Sequence, residues 1–341
     1  MSIRAFVTVL VLAFLSIVQS GCKTSSPVSP LVVNTPSSWS TDSAGAPPYR
    51  HEHCSVVVND RIYLLGGESD FGNDDNIRIF NADSDKWSAN QDSWSKPLNE
   101  FSASVIGNSV YVIGGNNDNG QNTISPQVFD PGTGSWSTPP TNGHCVPRSQ
   151  HTAAVVNGKI YLIGGISPDS SKWLTSVQIF DPATNTWSVP QTSGNFTARV
   201  NPTSCVINDK IYVFGGRLFN IYSNDSEGNN LEVFDPSTNA WTTPETIGNP
   251  LPRSGHTASV VNGKMYVIGG YSGWYSLKGY ALQVDVFDPS TNIWSTPKVT
   301  GTFVGRDGLS SCEVNGKVYV IGGDNDGMFS DEESFFDVYK P

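Results

Sequence analysis

Charge is scarce in this 341-residue chain: Asp, Glu, Lys and Arg make up 15% of it, against roughly 25% in an ordinary soluble domain. Cations are scarcer still, with 20 Lys and Arg against 31 Asp and Glu and a formal net charge of −11. The thin stock of Glu, Lys and Arg excludes a helical bundle or coiled coil, whose surfaces are made from them. The shortage of cations excludes sequence-independent nucleic-acid binding, which needs a basic footprint. A membrane-spanning run is missing too. The apolar stretch Ala5 to Val18 has fourteen residues, about 21 Å as a helix against a hydrocarbon core of ~30 Å. No Gly-rich phosphate loop, Ser/His/Asp elbow or Cys/His nucleophile motif stands out. Hydrophobic residues at 37% still exclude a disordered chain.

The short apolar run follows a single positive residue, Arg4, and reads as a signal-peptide core. Val18-Gln19-Ser20-Gly21-Cys22 then resembles the bacterial lipobox. There a small residue and Gly precede a Cys that is lipidated and becomes the mature N-terminus. Gln19 departs from the pattern, which prefers an aliphatic residue. We read Cys22 as the lipidation site; the alternative is ordinary cleavage nearby, with Cys22 incidental. The expected layout is a signal peptide over residues 1–21, a Ser/Pro-rich tether over 22–36 and one folded unit over 37–341. The protein is then exported, and either lipid-anchored in the cell envelope (a bacterial outer membrane or surface) or secreted. Of the five cysteines, Cys54, Cys145, Cys205 and Cys312 remain; their spacing fits no zinc pattern, and both disulfides and buried free thiols stay open.

What the chain has in quantity is glycine and proline, 33 and 22 residues, and much of the glycine is periodic. The pairs Gly66-Gly67, Gly114-Gly115, Gly164-Gly165, Gly215-Gly216, Gly269-Gly270 and Gly322-Gly323 follow one another at intervals of 48 to 54 residues. Three residues before each stands a Tyr, from Tyr63 to Tyr319. Downstream come Phe80, Phe129, Phe180, Phe234 and Phe287, and seven residues after each a Trp: Trp87, Trp136, Trp187, Trp241 and Trp294. Each unit holds four short β-type runs with turn signals between them. In the fifth they are His256–Val261, Lys264–Ile268, Gln283–Phe287 and Ile293–Ser295, the first turn being Asn262-Gly263. Four antiparallel strands repeated about every 50 residues read as propeller blades. The Tyr and Trp read as packing between neighbouring sheets.

On the di-Gly, the Tyr and the spaced Trp, the chain resembles the Kelch-repeat β-propeller family over residues 37–341. The resemblance implies an all-β, six-bladed propeller. The sixth unit stops after Asp337-Val338-Tyr339-Lys340-Pro341, before a fourth strand and its Trp, whereas Pro36 to Thr41 repeats the Trp294 segment around Trp39. An N-terminal strand is therefore expected to complete the last blade and close the ring.

In such blades the loops between strands two and three, and between four and one, share a face. Those loops are long and individual here, and function gathers on such loops. Two features fall on that face. Five arginines, Arg50, Arg148, Arg199, Arg253 and Arg306, start the innermost strands, with Leu98 in blade two. Either they ring one mouth of the central channel and bind an anion, or they pair with a neighbouring blade's carbonyls or carboxylates. Aromatics outside the blade positions, Trp94, Trp173 and Trp274 with Phe71, Phe219, Tyr222, Tyr275, Tyr280 and Phe329, either offer stacking surfaces or pack the loops down. The candidate ligand-binding set is the five arginines with Trp173, Trp274 and Tyr275. His53, His151 and His256 share one register and read as structural, and no metal or other cofactor is expected.

The expected function is a non-enzymatic binding module for a protein or carbohydrate partner, monomeric, with no nucleic acid and membrane contact only through the lipid. The alternative implied by the resemblance is a sugar-active enzyme, since the family includes a copper-dependent galactose oxidase and a sialic-acid mutarotase. The five His do not assemble the two-Tyr, two-His copper set. A mutarotase-like site would combine the Arg ring with Asp307 or Glu100.

Overall fold

The computed structural model describes residues 36–341, except 42–43, 70–71, 91–93, 95, 122, 124, 169–171, 220–225, 274–278 and 326–333. Residues 1–35, with Cys22, lie outside the described residues, as do Trp274 and Tyr275. Among the described residues there is no helix, and six four-stranded antiparallel sheets carry the fold. The first contains Cys54–Val58, Arg61–Leu65, Arg78–Asn81 and Lys86–Ala89 in spatial order. The expected all-β class and four-strand unit are both present. In the fifth sheet the third strand is Asp285–Asp288 rather than Gln283–Phe287. The Gln283 carbonyl is taken by the Arg253 guanidinium at 3.3 Å instead of by the ladder.

The turn residues do what their chemistry dictates. Asn262 and Gly263 both take positive φ, 50° and 72°, as a two-residue hairpin matching the right-handed strand twist requires. The first strands alternate between buried and half-buried positions. They pack side by side in succession: Cys54–Val58, Ser102–Ile106, Thr152–Val156, Thr203–Ile207, Thr257–Val261 and Ser310–Val314, the last also lying against the first.

The repeated aromatics account for much of the contact between sheets. Each Tyr reaches the Phe of the following sheet: Tyr63 to Phe129, Tyr111 to Phe180, Tyr161 to Phe234 and Tyr212 to Phe287, at 6.0–6.3 Å between ring centroids. Tyr266 reaches Tyr339 at 5.9 Å, and Tyr319 reaches Phe80 at 5.5 Å. Each Trp packs on the Phe opposite it in its own sheet, as Trp241 does on Phe234 at 5.0 Å, and Trp87 and Trp294 also reach Phe336 and Phe214 of the neighbouring sheet at 5.1 and 4.7 Å. The Tyr therefore joins neighbouring sheets as expected, and so do Trp87 and Trp294, whose rings contact Phe in both their own and the adjacent sheet. Such aromatic pairs contribute about 0.5–1.5 kcal/mol beyond the area they bury.

Ser38–Thr41 is the fourth strand of the last sheet. It pairs antiparallel with Phe336–Lys340, with Trp39 opposite Tyr339. Trp39 also stacks on Phe303 at 4.5 Å, as Trp241 stacks on Phe196 at 4.4 Å. The segment entering each later sheet is stitched to its outermost strand. The amides of Trp187, Trp241, Trp294 and Trp39 donate to the carbonyls of Asn142, Ser193, Ile247 and Thr300 at 2.7–2.9 Å. A glycine follows each of those carbonyl residues: Gly143, Gly194, Gly248 and Gly301, with φ between 76° and 100°. A Cβ there would come within 2.3–2.6 Å of the Trp carbonyl oxygen, so both the conformation and the space demand glycine.

Candidate functional site

The site is built where the chain enters each first strand, and its first component is the arginine. All five arginines are buried and hold together the end of their own sheet rather than facing a channel. Arg50, Arg148, Arg199 and Arg253 donate Nη1–H to the carbonyl of the first glycine of the pair sixteen residues on, at 3.0–3.2 Å; Arg306 does so through Nε at 2.6 Å. The remaining Nη2 meets a carboxylate in four cases. These are Asp74 for Arg50, Glu232 for Arg199 at 2.5 Å, Asp285 for Arg253, and Asp337 for Arg306 at 2.8 Å. A buried cation needs such a partner. Blade three departs: Arg148 meets Gln178 Oε1 at 2.7 Å and Ser176 Oγ at 3.1 Å, and burial pulls it down to about 10. In blade two both members change together, Leu98 being buried and Gln127 accepting from the Trp94 indole at 2.8 Å.

The partners lie in the arginine's own blade, not the neighbouring one that the sequence suggested. A signal for them was present. Glu232, Asp285 and Asp337 each stand two residues before the Phe or Tyr of the third strand.

Two residues past each arginine position the backbone turns sharply. Glu52, Glu100, Gln150, Asn201, Gly255 and Gly308 all have φ between 50° and 62°, the left-handed region that is costly for Glu and Gln. Each of these amides donates to the carbonyl of its counterpart one blade back. Glu100 donates to Glu52, Gln150 to Glu100, Asn201 to Gln150, Gly255 to Asn201 and Gly308 to Gly255, at 2.9–3.1 Å. Glu52 donates to Gly308 at 2.7 Å. The six bonds form a cycle, and they hold the unfavourable dihedrals in place.

This cycle borders a cavity of about 440 Å³ on the face that carries the long loops. None of the five arginines lines it; Glu52, Glu100, Asp307 and Asp324 do. Burial, then the charges of Glu100, Glu68 and Asp307, push the Glu52 carboxyl up to about 8, and it is hydrogen-bonded to Glu100. Glu100 in turn accepts from the side-chain amides of Asn116, at 2.6 Å, and Gln150. The mouth expected to be cationic is therefore acidic. Asp307 and Glu100, named as acids from the sequence, do reach it, but without the arginines.

His53, His151 and His256 also border the cavity, with their rings in the blade seams. His53 Nε2 is hydrogen-bonded with Ser310 Oγ at 2.8 Å and His151 Nε2 with Ser102 Oγ at 2.9 Å; His256 lies edge-on to Phe214. Burial lowers all three, His151 to about 3, so they stay neutral. Among the described residues no group of three His, Cys, Asp or Glu is placed to hold a metal ion. Cys54, Cys145, Cys205 and Cys312 are free thiols. Burial pushes Cys54, Cys205 and Cys312 up to about 12.

The loop aromatics divide. Trp94 is buried and stacked on Trp136 at 4.6 Å, a packing role rather than a loop surface. Tyr280 is buried against Tyr271. Trp173 is half-buried and lies 5.7 Å from Phe219, which is 50% exposed.

The sequence matches the model of the KLHDC2/KLHL20/DRC7 Kelch-repeats domain over residues 52–225 and again over 151–340. It is 30% identical over 318 residues to Kelch-like protein 15 of Danio rerio, covering 85% of this chain and 50% of that protein. Identity to Kelch-like protein 15 of Homo sapiens is 28% over 316 residues, with the same coverage. It is also 30% identical over 310 residues to Kelch domain-containing protein 3 of Bos taurus, covering 84% of this chain and 80% of that protein. The chain thus spans about half the length of the Kelch-like proteins it matches.

Proposed function

The chain belongs to the Kelch-repeat family, and from that premise we propose that it is a binding module for a protein partner. It engages that partner through the long-loop face, with a basic segment of the partner seated at the acidic mouth. The observation that carries this reading is the cavity bordered by Glu52, Glu100, Asp307 and Asp324, on a chain of net charge −11. Trp173 and Phe219, on the long loops of blades three and four, add apolar contact area on the same face. The reading takes the six sheets as a closed six-bladed ring in which Ser38–Thr41 completes the last blade. The pairing of Trp39 with Tyr339 and the bond from Glu52 to Gly308 support that closure.

A randomised peptide library on the immobilised protein tests the reading. Bound peptides should be enriched in Lys and Arg and should elute with salt, as screened charge pairs do; enrichment in Asp and Glu would refute it. Carbohydrate binding and a sugar-active site are the weaker alternatives, because the arginines that would hold a sugar acid are all buried, four of them in ion pairs. Export, with residues 1–21 as signal peptide, 22–36 as tether and Cys22 as lipid attachment point, and a monomeric state complete the proposal. Labelling with radioactive palmitate should be lost in Cys22→Ala; equal labelling would remove the anchor from it.

A further inference from the structure

On the opposite face, which carries the short turns, a Lys–Asp pair recurs in three blades and is broken in the other three, blade six ending its third strand in Lys340 instead of Asp. In blades three, four and five a Lys at the start of the second strand pairs with the Asp that ends the third. The pairs are Lys159–Asp181 at 3.1 Å, Lys210–Asp235 at 3.3 Å and Lys264–Asp288 at 2.9 Å. The other oxygen of each Asp accepts from the turn amide two residues on. Blade one keeps the cation and loses the anion: Arg61 stands opposite Asn81, whose side-chain oxygen caps the turn but carries no charge. Blade two keeps the anion and loses the cation. Asp130 Oδ1 accepts from Gly132 at 2.8 Å, and Ser109 occupies the Lys position.

These two leftover charges face the same space. Arg61 and Asp130 both line a cleft of about 370 Å³ between blades one and two, with Asn59, Asn108, Tyr63 and Pro131. They do not meet each other within ion-pair distance, and neither the Arg61 guanidinium nor Asp130 Oδ2 has a partner among the described residues. The cleft thus offers a planar cation, a separate carboxylate and an apolar wall from Tyr63 and Pro131.

We propose that this cleft binds a small zwitterion of the α-amino-acid type. Its carboxylate lies on the Arg61 guanidinium, which can present two parallel N–H donors. Its ammonium group lies on Asp130 Oδ2, and its side chain on the Tyr63–Pro131 wall. The site lies away from the long-loop face and stands whether or not a protein binds there.

Titration of the purified protein with L-alanine, followed by NMR, tests this, with propionate and ethylammonium as probes bearing only one of the two charges. L-Alanine should bind saturably, with each single-charge probe at least about tenfold weaker. Arg61→Gln and Asp130→Asn should each weaken L-alanine binding at least about tenfold. Both side chains are exposed, and the Asn introduced at 130 repeats the turn cap already used by Asn81, so an unchanged melting temperature confirms the fold. Three outcomes would overturn the proposal: no saturable L-alanine binding, binding indifferent to both substitutions, or propionate binding as tightly as L-alanine.

Discussion

The amide of Glu52 donates to the carbonyl oxygen of Gly308 at 2.7 Å, across 256 residues of sequence. It joins the first repeat to the last with the same bond that joins every other neighbouring pair. Five of the six bonds in that cycle link consecutive repeats; this one links the ends of the fold. Ser38–Thr41 makes a second join in the outermost position of the last sheet.

If closure depends on that strand, Trp39→Ala should cost about 3–5 kcal/mol, the loss usual for a buried Trp. Gly301→Ala should be destabilising by more than about 1 kcal/mol. Its Cβ would lie 2.4 Å from the Trp39 carbonyl oxygen, and its φ is +83°. Urea denaturation of the two variants checks both, and an unchanged midpoint in Trp39→Ala would show that the ring does not need the clasp.

The arginines should separate by partner. Arg199→Met leaves the buried Glu232 carboxyl without its cation, which should cost about 3–5 kcal/mol, and Glu232→Leu in the same chain should recover much of it. Arg148→Met leaves only neutral groups behind, since Gln178 and Ser176 are its side-chain partners, and should cost distinctly less. Chemical denaturation of the three variants measures the order.

The Glu52 carboxyl makes stability depend on pH with a definite sign. Its value in the folded protein is raised from 4.5 to about 8, so between those limits the folded state holds a proton that the unfolded state has lost. The associated stability is complete below about pH 4.5 and lost as pH rises to about 8. Thermal melts from pH 5 to 8 should show the wild type losing up to a few kcal/mol relative to Glu52→Gln. Parallel curves for the two proteins would contradict the assignment.

Much of the architecture is legible in residue types, because the features that build it are local. Gly pairs, Asn-Gly turns and a Phe followed seven residues on by Trp all act within one blade, and the Trp39 segment could be matched to its missing place by likeness alone. The glycines seven residues after Trp136, Trp187, Trp241 and Trp294 were equally periodic, and their reason appears only once the Trp carbonyl is seen against them. The site was harder to read. Whether Arg199 faces a channel or a sheet is decided by Glu232, some thirty residues away, and by a left-handed turn after it. That turn is occupied by Glu, Glu, Gln, Asn, Gly and Gly around the cycle, a set with no common side-chain chemistry to betray a shared backbone role. Trp94 takes the packing reading of its two alternatives, a choice decided by Trp136 and Gln127 in the next blade.

Binding at the acidic mouth is measured by the affinity of a Lys- and Arg-containing library peptide for the wild type and for the double substitution Glu100→Gln/Asp307→Asn, each at low and at high salt. Removing two carboxylates from the mouth should weaken binding at least about tenfold at low salt and flatten its salt dependence. Equal affinity and equal salt dependence in the two proteins would place the partner's contact elsewhere and rule out the acidic mouth as the binding surface.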